Sequence, residues 1–146
     1  MALRIASPPN PAVDESAAGI GADPSSRSTG GLLTVDLDAL AANWRTLRDR
    51  AQGAECAAVV KADGYGIGLE RALRALARAG CRTFFVAHLS EGARARAVNR
   101  NATIYVLNGL LPGSEPDFAE YGLTPVLNHL GQLNAWRAAE IGRAHV

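Results

Sequence analysis

From residue 32 onward, short runs rich in β-branched and aromatic residues alternate with stretches whose apolar positions recur every three or four residues. This alternation predicts parallel βαβ units. LLTVD (32–36) reads as a lead strand, and Asp36 or Asp38 supplies an N-cap for a helix carrying Leu40, Trp44, Leu47 and Ala51 on one face. ECAAVVK (55–61) is apolar almost throughout, which predicts a strand covered on both faces, as in parallel sheets. After a glycine-rich turn, Leu69, Ala72, Leu73, Leu76 and Ala77 make a helical stripe that Gly80 stops. TFFVA (83–87) is the next strand, Ser90 caps a helix carrying Ala93, Ala97 and Val98, and TIYVL (103–107) is the strand after it. Ser114 with Asp117 makes a capping-box pattern that opens a short helix ended by Gly122. LTPVL (123–127) follows as a strand weakened by Pro125, and Leu130, Leu133 and Arg137 mark a last helix.

Strands at this spacing are what successive βα units produce. The expected fold class is α/β, a partial (β/α)8 TIM-type barrel of about the first four βα units with parallel strands, because a complete barrel needs about 250 residues. Such a half barrel keeps an unclosed sheet edge. Residues 1–31, rich in Ala, Ser, Pro and Gly and without apolar period, are expected to form a flexible leader. Pro8, Pro9, Pro11, Asp14 and Glu15 interrupt every candidate for a secretory core there.

Lys and Arg number 15 against 14 Asp and Glu, a formal charge of +1, which leaves no overall attraction to nucleic acid or anionic lipid. Neither is an expected partner. No run approaches the ~18 apolar residues of a membrane span, so the expected location is cytoplasmic. Cys56 and Cys81 stand outside any CxxC or Cys/His cluster, and His88, His129 and His145 lack metal-ligand spacing. No metal is expected, and the thiols are expected to be free. Trp44 and Trp136 read as packing or surface residues, and the arginines of the 71–78 and 94–100 helices as solvated faces.

The stretch Val59-Val60-Lys61-Ala62-Asp63-Gly64-Tyr65-Gly66-Ile67-Gly68 sets one lysine where an apolar strand gives way to a glycine-rich turn. Barrel and doubly wound folds build their sites at that end of the strand. Burying the stem of such a lysine disfavours the ammonium and favours the free amine, the nucleophile of Schiff-base chemistry. Tyr65 lies four residues on, where its hydroxyl can donate to a phosphate oxygen. The plainer alternatives are a solvated strand-end lysine and a packed ring. Gly64-x-Gly66-x-Gly68 does not match the dinucleotide pattern G-x-G-x-x-G, and no Walker A lysine occurs. His88 follows TFFVA directly, which places it on the same rim as Lys61.

Taken together, AAVVKADGYGIG (57–68), TFFVAHLSEGARAR (83–96), IYVLNG (104–109) and AEYGLTPVLN (119–128) resemble, in order and spacing, the amino-terminal part of bacterial alanine racemases. The resemblance runs from about Leu33 to Ala139. It implies that residues 32–139 are the amino-terminal part of a barrel domain that binds pyridoxal 5′-phosphate. Lys61 matches the lysine that holds the cofactor covalently and serves as a catalytic acid/base. Tyr65 matches the tyrosine on the cofactor phosphate, and Val59 a residue near the cofactor ring. Where the family usually has histidine in the Y-G-x-G turn, this chain has Ile67.

The implied substrate is alanine, interconverted between its L and D forms to supply D-alanine for peptidoglycan, in a full-length parent that is a homodimer. The resemblance places the second base, a tyrosine of the partner subunit, beyond this chain. The arginine facing the pyridine nitrogen, and a modified lysine with its arginine near the substrate carboxylate, lie there too. This chain alone is therefore expected to be inactive. Rival readings are a pyridoxal-phosphate carrier barrel, a racemase for another small amino acid, and a non-catalytic module whose glycine turn is only structural. Residues 140–146 do not continue the resemblance and read as a non-native tail, the translation of an adaptor oligonucleotide at a truncation point.

Overall fold

The computed structural model describes residues 33–143; the expected leader and the last three residues of the expected tail lie outside them. Of the lead strand expected over 32–36, residues 33–36 pair with no strand among the described residues. They serve as the entry to helix α1 (Leu37–Arg50) instead. Asp36 is its N-cap: Oδ1 accepts from the amides of Asp38 and Ala39, both at 2.9 Å, satisfying two donors the first turn leaves open. Trp44 and Ala41 form the buried seam of α1. The Trp44 indole donates to the Cys56 carbonyl at 3.1 Å, and the Arg48 guanidinium lies over its ring. Leu47, expected on the same face, is 59% exposed because the seam is only as wide as Ala41 and Trp44.

The remaining elements run β1 (Ala58–Val59), α2 (Lys61–Tyr65), α3 (Leu69–Ala79), β2 (Thr83–Val86), α4 (Leu89–Val98), β3 (Thr103–Val106), α5 (Glu115–Glu120), β4 (Thr124–Pro125) and α6 (Leu130–Arg143). The four strands lie in the order β1-β2-β3-β4 and all neighbours are parallel, the four βα units of an incomplete barrel. Helix α6 continues through Glu140 to Arg143, into the segment read as a foreign tail.

Register divides the sheet into two faces. Phe84, Val86, Ile104 and Val106 are all but fully buried, packed with Leu69, Leu73, Leu76 and Phe118 of the helical layer. The alternate row, Val59↔Phe85↔Tyr105↔Thr124, lies on the other face. There Phe85 and Tyr105 stack at 5.0 Å, half-buried, and Val59 is 45% exposed. The apolar run 55–61 predicted cover on both faces; among the described residues the helices cover one.

Local signals set several ends. The α3 stripe buries Leu69, Ala72, Leu73 and Leu76, and Gly80 at φ 110 ends the helix, the Cys81 amide reaching back to the Leu76 carbonyl. Ser114 is the N-cap of α5 by position, yet its hydroxyl donates to the Leu111 carbonyl instead of closing a capping box. The LTPVL strand contracts to Thr124–Pro125, where the ladder bond to the Val106 carbonyl comes from the Val126 amide at 2.9 Å and needs no N–H from Pro125. Helix α4 differs most from its reading. His88, not Ser90, is its N-cap, and it buries Glu91, Gly92 and Ala95, leaving Ala93 and Val98 half-buried and Ala97 exposed. A Cβ at Gly92 would stand 2.7 Å from Leu123 Cδ1, so α4 approaches that side chain closely only without one.

Arg71, Arg74 and Arg78 are exposed as expected, but Arg96 is not a solvated residue. Its guanidinium donates to the carbonyls of Tyr121, Gly122, Arg100 and Ala102 at 2.7–2.8 Å and to Asn99 at 3.3 Å. These carbonyls follow the ends of α4 and α5, where no helical donor remains and positive charge is favoured. Cys56 and Cys81 are free, and burial pushes the Cys81 thiol up to about 11. Among the described residues no helix is long and apolar enough to cross a membrane. Arg96→Ala strands these carbonyls, so urea unfolding should register a loss of about 2–4 kcal/mol. A loss below about 0.5 kcal/mol, the range of an ordinary surface change, would contradict that role.

Candidate functional site

Strand β1 stops at Val59, and the next amide, that of Val60, still bonds the Phe85 carbonyl at 2.8 Å. Lys61 follows, and then the backbone turns left-handed: Ala62 (φ 54, ψ 50), Asp63 (φ 53, ψ 46), Gly64 (φ 64, ψ 37) and Tyr65 (φ 56). Gly64, Gly66 and Gly68 donate back to the carbonyls of Val60, Ala62 and Asp63 at 2.9–3.0 Å, so α2 is a left-handed turn with its own hydrogen bonds. L-residues in this region cost roughly 1–2 kcal/mol each, and three of the four are not glycine. The glycine-rich composition predicted a turn; it did not predict this handedness.

Helix α4 opposes the strain from two positions one turn apart. Glu91, 9% exposed, accepts from the Asp63 amide through Oε1 (3.1 Å) and from the amides of Ala87 and His88 through Oε2 (2.8 and 3.2 Å). Burial by itself would raise this carboxyl; the Asp63, Ala87, His88 and Ala62 amides outweigh it and hold it below its ordinary value. Outside the turn, Arg94 donates to Asp63 Oδ1 at 2.7 Å and to both Glu70 oxygens at 2.8 and 3.0 Å, while the Leu69 amide also donates to Asp63 Oδ1 at 3.2 Å. The bonds from Arg94 lower both carboxyls and raise the guanidinium. Arg94 is exposed, as the solvated reading expects, and is held there by these two carboxylates.

All three sequence-selected residues gather at the carboxyl end of β1. Lys61 is half-buried, Tyr65 is 64% exposed at the far end of the turn, and Val59 lies on the uncovered sheet face beside Phe85. The set comprises a primary amine, a phenolic hydroxyl and an apolar wall, suited to an aldehyde with an aromatic ring and an anionic group. His88 sits at the end of β2, its Nδ1 3.1 Å from Asn108 Nδ2, and Asn128 Nδ2 donates to the Leu107 carbonyl, so the rim continues past β3. Ile67 packs half-buried against the core. Sequence reasoning missed Glu91 and Arg94. The available signal was a glutamate three residues after a helix cap, obscured because the cap is histidine rather than Ser, Thr, Asp or Asn.

A Cβ at Gly64 would meet Leu69 N, Ala72 Cβ and Ile67 Cγ1 at 3.4–3.5 Å, ordinary contacts. Gly64→Ala should therefore cost only the left-handed penalty, about 1–2 kcal/mol by urea unfolding, and a neutral result would contradict the φ of +64. Because Asp63 and Glu70 are both lowered, the Arg94 contacts are complete at neutral pH and vanish as pH falls through the folded values, below the ordinary carboxylate range of about 4. NMR signals of the Arg94 guanidinium should be constant from pH 7 to about 5 and shift only in that acid window.

The sequence model described as "Alanine racemase, N-terminal domain" matches residues 35–146. The chain is 61% identical over 109 residues to the alanine racemase of Methylobacterium sp. (strain 4-46), a match covering 75% of this chain and 30% of that protein. To the catabolic alanine racemase of Mesorhizobium japonicum it is 51% identical over 116 residues, covering 79% and 30%. Among solved structures, the alanine racemase of Bartonella henselae with covalently bound pyridoxal phosphate superposes with a TM-score of 0.69 at 41% identity, covering 71% of this chain and 29% of that one. The chain thus spans about 30% of the curated relatives it matches. On a family match over residues 35–146 and parallel βα units of the same architecture, the chain belongs to the alanine racemase family, within its amino-terminal domain.

Proposed function

We propose that this chain is the cofactor-binding part of a pyridoxal-phosphate-dependent alanine racemase. One observation carries this reading: a half-buried lysine, an apolar wall and an exposed tyrosine meet where β1 enters its left-handed turn. That donor set fits the group. The Lys61 amine would hold the cofactor aldehyde, the Tyr65 hydroxyl would donate to its phosphate, and Val59 would face its ring. Bound there, the cofactor supplies the electron withdrawal that makes the α-hydrogen of an amino acid removable.

The Lys61 amine Nζ would take or return the α-proton of alanine on one face of the substrate. The turn fixes where that amine stands, and the uncovered row of Val59, Phe85 and Tyr105 supplies an apolar wall. A proton on the opposite face needs a second base, which we assign to a longer protein acting as a homodimer. The chain by itself is then without racemase turnover, and the parent supplies D-alanine for cell-wall synthesis from a cytoplasmic location. We assign residues 32–139 to this domain and 1–31 to a leader.

Borohydride reduction of the full-length protein, followed by peptide mapping, should find the cofactor fixed to Lys61. Lys61→Ala should abolish the label and lower alanine racemisation by at least about 10²–10⁴-fold. A label on another lysine, or none in the wild type, overturns the assignment.

A further inference from the structure

Glu91 is a carboxylate that ties the turn carrying Lys61 and Tyr65 to the end of another strand. Its Oε1 holds the Asp63 amide of the turn, and its Oε2 holds the amides of Ala87 and His88 at the end of β2. The connection is short in sequence on both sides: Asp63 is two residues from Lys61 and two from Tyr65. It is also the place where the backbone is least favourable, with Ala62, Asp63 and Tyr65 left-handed without being glycine. A conformation of that kind persists only where its surroundings over-determine it. The Asp63–Arg94 contact is on the exposed side and is screened by water, whereas Glu91 is buried against the sheet end.

We infer that Glu91 is a positioning residue: it locks the left-handed turn so that the Lys61 amine and the Tyr65 hydroxyl stand ready before any ligand arrives. The inference rests on the proposed roles of Lys61 and Tyr65. Glu91 itself touches neither substrate nor cofactor; it acts through the amides of the turn. A glutamine there keeps the shape but has one acceptor oxygen for two sets of amides, and its own NH₂ faces donors. In Glu91→Gln the turn therefore loses its hold either on Asp63 or on β2. Ala62 is exposed, so Ala62→Gly removes a left-handed penalty at little packing cost.

The test uses the full-length enzyme, comparing wild type, E91Q, the A62G/E91Q double variant and R96A, whose side chain binds carbonyls away from the turn. Apo-protein is titrated with pyridoxal 5′-phosphate, melting temperature is recorded without it, and kcat and KM for alanine are measured at saturating cofactor. E91Q should weaken cofactor binding by roughly tenfold or more and lower kcat while KM for alanine changes less than about threefold. A62G should recover part of the lost cofactor affinity in the E91Q background. R96A should lower the melting temperature with cofactor affinity unchanged. In wild-type apo-protein, whether or not E91Q folds, the Asp63 amide should exchange slowly with solvent. Cofactor affinity within twofold of wild type in E91Q, affinity that merely tracks stability across E91Q and R96A, or an Asp63 amide exchanging at the rate of an open chain each overturns the inference. Borohydride labelling of the wild type keeps the two readings apart. No label at Lys61 defeats the proposed function, whereas a labelled wild type with an indifferent E91Q defeats only the role of Glu91.

Discussion

The end of β1 depends on a balance between an unfavourable backbone and a buried carboxylate. Strand β1 is only two residues long and, among the described residues, pairs with β2 alone, so its ladder holds the chain weakly. Immediately beyond it, successive left-handed residues would relax toward ordinary conformations if nothing opposed them. Glu91 opposes them with charge-assisted hydrogen bonds in a site water scarcely reaches, where such bonds are stronger than neutral ones. Because the same carboxylate grips β2, the turn is referenced to the sheet rather than to the loop around it. Lys61 and Tyr65 inherit that reference.

The sheet presents its two faces to different tasks. One face is core: Phe84, Val86, Ile104 and Val106 lock against α3 and α5 with almost no exposure. The other carries Val59, Phe85 and Tyr105 at half burial, joined by an aromatic stack, and opens on the side where Lys61 emerges. Alternation along each strand makes this division automatic, since adjacent side chains point to opposite faces. An open apolar row and a packed core are thus built from the same strands.

Helix α4 is the connecting member. It spends its buried face on Glu91, Gly92 and Ala95 rather than on large apolar side chains, which brings it close to Leu123. Its arginines divide the work: Arg94 reaches outward to the turn and to the start of α3, and Arg96 closes the carbonyl ends of α4 and α5. Ile67 and Trp136 pack partly buried against the core, Trp136 meeting Phe118 edge-on at 6.0 Å.

Short-range patterns were enough for the order of elements, the Asp36 cap, the Leu69–Leu76 stripe with its Gly80 stop, and the gathering of Val59, Lys61 and Tyr65 at one strand end. Each of these follows from a few neighbouring residues: a side chain that satisfies open amides, an apolar period, or a strand giving way to glycine. Strand lengths, the absence of pairing at 33–36 and the single covered face were set by which neighbours each segment found across the sheet. The hold of Glu91 on Asp63 and the contacts of Arg96 with Tyr121 and Gly122 were likewise tertiary, because those partners lie more than twenty residues away along the chain. A charged residue on a helix looks the same in sequence whether water or a distant carbonyl completes it, and only the fold decides which.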